Sequence, residues 1–146
     1  MKKTISEISI YIDGAARGNP GPAGAGIVLK EGDKTVKGIH KYLGDTTNNI
    51  AEYSAAIFGL EAAIALGYKN VALYMDSELV SQQLKGEYRV KDENMKTLFE
   101  KVISLINSFD TVKIVKIDRE NNKEADKLAN KAINLSGLSP SSKIVG

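Results

Sequence analysis

Ile8-Ser9-Ile10-Tyr11-Ile12-Asp13-Gly14, residues 8–14, alternates isoleucine with more polar side chains and then stops on an acid and a glycine. A period of two marks a strand with one buried face, and Asp13-Gly14 marks its end. Beyond it, Gly18-Asn19-Pro20-Gly21-Pro22 is a turn-rich loop. Ala25 to Lys30 and Thr35 to Tyr42 are two further strands, with Glu31-Gly32-Asp33 as hairpin punctuation. The chain is therefore expected to open with three antiparallel strands.

The period then changes. Thr46-Thr47-Asn48-Asn49 offers capping side chains to a long helix from Ile50 to Leu66, stopped by Gly67 and apolar nearly all round, so largely buried. Val71 to Met75 reads as a short buried strand. Asp76-Ser77 caps a helix to about Leu84, and Gly86 ends it. Met95, Leu98, Phe99, Val102, Ile103 and Ile106 recur at three- and four-residue spacing, which predicts an amphipathic helix over Asp92 to Asn107. Val112 to Ile117 is another strand and Asp118 to Asn122 a polar loop. A last helix runs from Lys123 to Leu135, its inner face formed by Ala125, Leu128, Ala129, Ala132 and Ile133.

This order predicts an α/β fold: a five-stranded mixed sheet, three strands antiparallel and two parallel, flanked by helices. Residues 1–135 form one domain and 136–146 a loose tail. The economical arrangement puts the Val71 to Met75 strand beside the Ile8 to Ile12 strand. Asp13 and Asp76 then meet outside the carboxyl ends of two parallel strands, where open α/β sheets bind ligands. Carboxylates that close repel, so one pKa rises or a cation is recruited. Glu52, one turn into the long helix, and Asp126, one turn into the last, can reach the same point. Four hard oxygen donors favour magnesium or manganese over zinc.

Taken singly, these residues are ambiguous. Asp13 equally serves as a turn residue, Asp76 as a helix cap and Asp126 as a solvated surface acid. Glu52 is harder to dismiss, because an ionised carboxylate in an apolar helix is costly unless paired. The glycine-rich loop lacks the lysine and hydroxyl of a phosphate-binding loop and leads into a strand, so it reads as a turn.

Composition narrows the classes further. The 146 residues amount to one domain, large enough to bury a core without staples. No cysteine is present, which removes disulfides, thiolate nucleophiles and zinc–thiolate sites and fits a reducing, cytoplasmic location. The longest apolar stretch, Ile50 to Leu66, carries Glu52 and Glu61, which argues against a membrane span, and the N-terminus lacks the apolar run of a signal peptide. A net charge of +2 permits contact with a polyanion without demanding it.

Five segments carry a family resemblance: Tyr11-Ile12-Asp13-Gly14, Gly18-Asn19-Pro20-Gly21-Pro22, Thr47-Asn48-Asn49-Ile50-Ala51-Glu52, Tyr74-Met75-Asp76-Ser77 and Asn122-Lys123-Glu124-Ala125-Asp126-Lys127-Leu128-Ala129. In this order, over about Ile8 to Ile133, they resemble the signatures of type 1 ribonuclease H. The resemblance implies the ribonuclease H-like fold and an endonuclease that cuts the RNA strand of RNA–DNA hybrids. It implies two magnesium ions, for which manganese can substitute, and products with a 5'-phosphate and a 3'-hydroxyl. Asp13, Glu52, Asp76 and Asp126 would be catalytic metal ligands, with Asp13 bridging. Asn19, Thr47, Asn48 and Asn49 would contact the hybrid, and Arg17 is an added phosphate contact. A catalytically silent hybrid-binding module, or another two-metal nuclease on this fold, is the alternative. A monomer is expected.

Three departures stand out. Where many members carry a histidine before the last helix, this loop reads Asp118-Arg119-Glu120-Asn121-Asn122, and the single histidine, His40, lies in the third strand. Resemblance to a branch with arginine there makes Arg119 the candidate substitute, though a guanidinium is no base at neutral pH. The segment Lys85 to Lys91 is too short for a basic protrusion, and the chain has no tryptophan. Glu78 stands where a common family pattern has a polar amide.

Overall fold

The computed structural model describes residues 7–137. Its elements are β1 (Glu7–Ala16), β2 (Gly21–Glu31), β3 (Lys34–Thr46), α1 (Asn48–Ala65), β4 (Asn70–Met75), α2 (Glu78–Leu84), α3 (Glu93–Ile106), β5 (Thr111–Lys116), a 3-10 turn (Arg119–Asn121) and α4 (Lys123–Gly137). The sheet order is β3-β2-β1-β4-β5, antiparallel across β1, β2 and β3 and parallel across β1, β4 and β5. This is the expected mixed sheet, with β4 beside β1.

Strand alternation divides the sheet into two faces. Ile8, Ile10 and Ile12 of β1, Ala25, Ile27 and Leu29 of β2, and Val71, Leu73 and Met75 of β4 form one buried cluster with Tyr53, Ala56 and Leu60 of α1 and Met95 and Val102 of α3. The opposite face of β2 carries Gly24 and Gly26, and α4 lies on it. A Cβ at Gly26 would fall 2.0 Å from the Ala125 carbonyl oxygen, and one at Gly24 2.4 Å from that of Ala129. Only glycine lets the helix backbone come so near the strand. Gly14 plays the same part on the α1 face, where a Cβ would stand 2.2 Å from the Ala51 carbonyl carbon.

Several expected boundaries shift. Asp13 does not end β1: the strand runs on to Ala16, with Asp13 opposite Gly26, because Gly14 to Ala16 keep pairing with Ala23 to Ala25. On the other side, the last β1–β4 pair is Tyr11 with Tyr74, so Asp13 still lies past the end of β4. β2 and β3 are longer than expected for the same reason, the hairpin ladder continuing through small residues as far as Gly21 and Thr46. Thr47 is the cap of α1, and Asn48 and Asn49 belong to its first turn. The long helix is less buried than its composition suggests. α3 and the sheet bury one side of it between Ala51 and Ala63, while Glu61 is exposed and Ile64 and the C-cap Leu66 are 40 % and 45 % exposed. α4 extends to Gly137, past the expected Leu135, and the rest of the expected tail, 138–146, lies outside the described residues. No helix among the described residues is long and apolar enough to cross a membrane.

Candidate active site

Four elements deliver the four carboxylates. Asp13 comes from β1 beyond the last β4 rung, Asp76 follows β4, and Glu52 projects from the first turns of α1. Ligand oxygens of Asp13, Glu52 and Asp76 all lie within 4.8 Å of one another. Asp126, carried in by the close seating of α4, is within hydrogen-bonding reach of Asp13. All four line one open cleft of about 460 Å³, with Arg17, Asn48, Asn49, Ser77, Arg119 and Asn130 among the other wall residues.

Burial and mutual repulsion dominate the electrostatics. Asp13 is 5 % exposed and Glu52 6 %. Burial first, then the Asp126 hydrogen bond and the charges of Asp76 and Asp126, push the Asp13 carboxyl up to about 8, against the opposing charge of Arg119. Glu52 is raised well above its ordinary range by burial, then by Asp13 and Asp76, while a hydrogen bond from the Gly14 backbone opposes the shift. Among the described residues the buried Glu52 Oε1 has no hydrogen-bond partner. An orphaned carboxylate oxygen inside a ring of acids is the donor set of a hard divalent cation, so these residues fit magnesium or manganese.

A raised carboxyl binds a proton more tightly in the folded than in the unfolded chain. Its contribution is complete below the unfolded pKa of about 4 and is lost as pH rises through the folded value. In chelator the melting temperature is therefore expected to fall between about pH 4 and pH 8 more steeply than in an Asp13→Asn variant. Magnesium at pH 8 should recover the loss. Parallel melting curves for the two proteins would not support this proton-linked strain.

Other expected residues divide into two groups. Arg17, Asn48, Asn49 and Arg119 stand on the cleft wall, whereas Asn19 and Thr47 do not and are engaged with backbone. Thr47 Oγ1 accepts from the Ile50 N–H at 3.2 Å as the α1 cap, and Asn19 Oδ1 accepts from the Asn48 N–H at 3.0 Å. Asn48 Oδ1 in turn accepts from the Ala16 N–H at 2.9 Å, tying the end of β1 to the start of α1. His40 is exposed on β3, opposite Gly26.

Two residues were given no role from the sequence, although Asn122 opens the fifth quoted segment. Asn122, in the loop before α4, is only 2 % exposed. Its Nδ2 donates to the Ile12 carbonyl at 2.8 Å and to Asp76 Oδ2 at 3.0 Å, so it orients one carboxylate from the central strand. Asn122→Ala is expected to cost about 2 kcal/mol of stability, by leaving a buried carbonyl unpaired. It should also cost roughly 10- to 100-fold in activity through the loosened Asp76. Chemical denaturation and single-turnover kinetics check both; full activity would show that Asp76 needs no such brace. Asn130, on α4, is the second. Nothing in a polar pattern distinguishes a buried loop asparagine from a solvated one.

The sequence of residues 11–132 matches the reverse transcriptase-like family model. The chain is 42% identical over 130 residues to a ribonuclease HI of Halobacterium salinarum, covering 86% of this chain and 64% of the relative. The structure superposes on LC11-RNase H1, solved in complex with an RNA/DNA hybrid, with a TM-score of 0.84 and 43% identity, covering 90% of this chain and 99% of the other.

The chain belongs to the type 1 ribonuclease H family.

A bifunctional protein of Mycobacterium tuberculosis is 38% identical over 135 residues, or 91% of this chain and 37% of that one. The chain thus spans less than two thirds of the length of these curated ribonuclease H family relatives. Its α2–α3 connection, residues 85–92, contains no helix.

Proposed function

We propose that this chain is an endonuclease that hydrolyses the RNA strand of RNA–DNA hybrids, with two magnesium ions at the carboxylate cluster and manganese as a substitute. The observation that carries this reading is the convergence of Asp13, Glu52 and Asp76 within 4.8 Å, with Asp126 against Asp13, in a chain of this family. Two divalent ions there supply activation of a water and charge neutralisation at the scissile phosphate. Asp13, Glu52, Asp76 and Asp126 would hold the ions, Asp13 most rigidly because it lies on the central strand. Cleavage leaves a 5'-phosphate and a 3'-hydroxyl.

The chain's own polar groups suit a hybrid. Because the Ala16 and Asn48 backbone N–H groups occupy the carbonyl oxygens of Asn48 and Asn19, the amide NH2 groups of both side chains face away as donors. Donors in a fixed orientation recognise the acceptors of the RNA minor groove and its 2'-hydroxyls, which tell RNA from DNA without reading sequence. Asn49 adds to this set, and Thr47, whose oxygen accepts from Ile50, retains a hydroxyl proton for a DNA phosphate. Arg17 and Arg119, both on the cleft wall, meet phosphate, with Arg119 standing in the histidine's place to hold charge and ease product release rather than to act as a base. One chain carries all four acids, so a monomer suffices.

End-labelled RNA presented as a hybrid, as an RNA duplex and as a single strand, each with magnesium, tests the substrate class. Cutting of the hybrid at least about tenfold faster than either alternative is expected. Equal cutting of single-stranded RNA would sink the proposed specificity.

A further inference from the structure

Asn130 lies one helical turn beyond Asp126 on α4, and both ends of its amide are occupied. Nδ2 donates to the Asp126 carbonyl at 3.0 Å and to Asp126 Oδ1 at 3.3 Å. Oδ1 accepts from Arg17 Nη2 at 3.1 Å, across a sequence separation of 113 residues, and the Asn130 carbonyl receives the same nitrogen at 3.5 Å. Helix stability does not account for this choice, since asparagine is a poor residue in a helix interior.

Charge does account for it. Arg17 stands on the wall of a cleft with four acids, yet among the described residues it forms no ion pair. A neutral amide bonded to both stands between the guanidinium and the Asp126 carboxylate. A direct Arg17–Asp126 pair would be bidentate and strong, and it would occupy the oxygens that a cation needs. The amide holds both partners with its two ends and keeps them apart.

We propose that Asn130 is a positioning residue: it fixes the Asp126 carboxylate through its NH2 end, keeps Arg17 off that carboxylate through its carbonyl end, and so preserves Asp126 as a cation ligand. This rests on the metal reading of the site given above. It goes beyond that reading by assigning a supporting residue outside the quoted motifs and a device that separates a substrate-contacting cation from a metal-ligating anion.

The test is Mn2+ binding to the full chain by calorimetry, without nucleic acid, for wild type, Asn130→Ala and Asn130→Asp. Alanine favours the helix and removes both amide ends; aspartate is isosteric, keeps an acceptor for Arg17 and loses the donor to Asp126. Outer-shell partners of metal ligands are typically worth 10- to 100-fold in affinity, so both variants are expected to bind Mn2+ about tenfold or more weakly. With hybrid substrate both should lose kcat, and Asn130→Ala, which frees Arg17 to pair with Asp126 and so withdraws a phosphate contact, should also raise KM. Circular dichroism spectra should match wild type. Mn2+ affinities within about threefold of wild type in both variants would overturn the proposal. Wild-type affinity in Asn130→Asp alone would also overturn it, because the NH2 end would then not be holding Asp126. If the wild-type chain itself binds no Mn2+, the metal reading of the site fails and takes this inference with it, an outcome distinct from the other two.

Discussion

Asp13→Asn is expected to lose cleavage by at least about a thousandfold while making the metal-free protein more stable. The first effect follows from the loss of a charged ligand at the point where the other carboxylates meet, since cation stabilisation of a transition state is worth several kcal/mol. The second follows from the same geometry. Asp13 is buried and pressed by Asp76 and Asp126, its carboxyl pushed up to about 8. A neutral isostere relieves that repulsion, and at pH 8 in chelator the gain should exceed about 1 kcal/mol. Below about pH 4, where Asp13 is protonated in both folded and unfolded chains, the two proteins should differ least. Urea denaturation at the two pH values, paired with single-turnover cleavage, measures both halves. A variant that is inactive but destabilised at pH 8 would mean that Asp13 holds the fold together, which the strained cluster denies. Activity and stability pulling in opposite directions are what a preorganised charged site requires.

Gly14→Ala carries the second large effect, and it is steric. The added methyl would stand 2.2 Å from the Ala51 carbonyl carbon and 2.3 Å from the Glu52 nitrogen, both backbone atoms of a packed helix. Neither can rotate aside, so α1 must retreat from β1. Overpacking of this kind costs about 3 kcal/mol or more. The retreat also carries Glu52 away from Asp13, and a displacement near 1 Å in a catalytic group costs on the order of 100-fold. Gly38→Ala is the matched control: its Cβ meets only Leu128 Cδ1 at 3.5 Å, an ordinary contact on β3, and replacing a strand glycine is neutral or mildly favourable there. Equal melting temperatures for the two variants would contradict the close β1–α1 approach.

Sequence periodicity and punctuation made most of the fold legible. The β1 alternation, the capped helices and the order of elements led to the observed sheet, with β4 parallel to β1. The meeting of Asp13 and Asp76 followed from that order alone. Other features depend on what faces a residue across space. Asp13-Gly14 has the local chemistry of a turn, yet tertiary pairing with Ala25 and Gly26 extends the strand through it. Gly24 and Gly26 recur at the two-residue strand period, and that glycine face was a readable sign of a helix backbone lying on β2. The bracing roles of Asn122 and Asn130 left no such sign, because an amide's value here lies in partners 110 and 113 residues distant. The all-round apolar pattern of α1 overstated its burial, since α3 covers one flank and leaves Ile64 open.

Cleavage of an RNA–DNA hybrid with the RNA labelled at each end, followed in magnesium and in chelator with the product termini identified, tests the central claim most directly. A carboxylate-held metal centre that activates water predicts cutting only with magnesium, leaving a 5'-phosphate and a 3'-hydroxyl. Cutting that persists in chelator, or products ending in a 2',3'-cyclic phosphate, would mean that the RNA's own 2'-hydroxyl is the nucleophile and that Asp13, Glu52, Asp76 and Asp126 are not the hydrolytic centre.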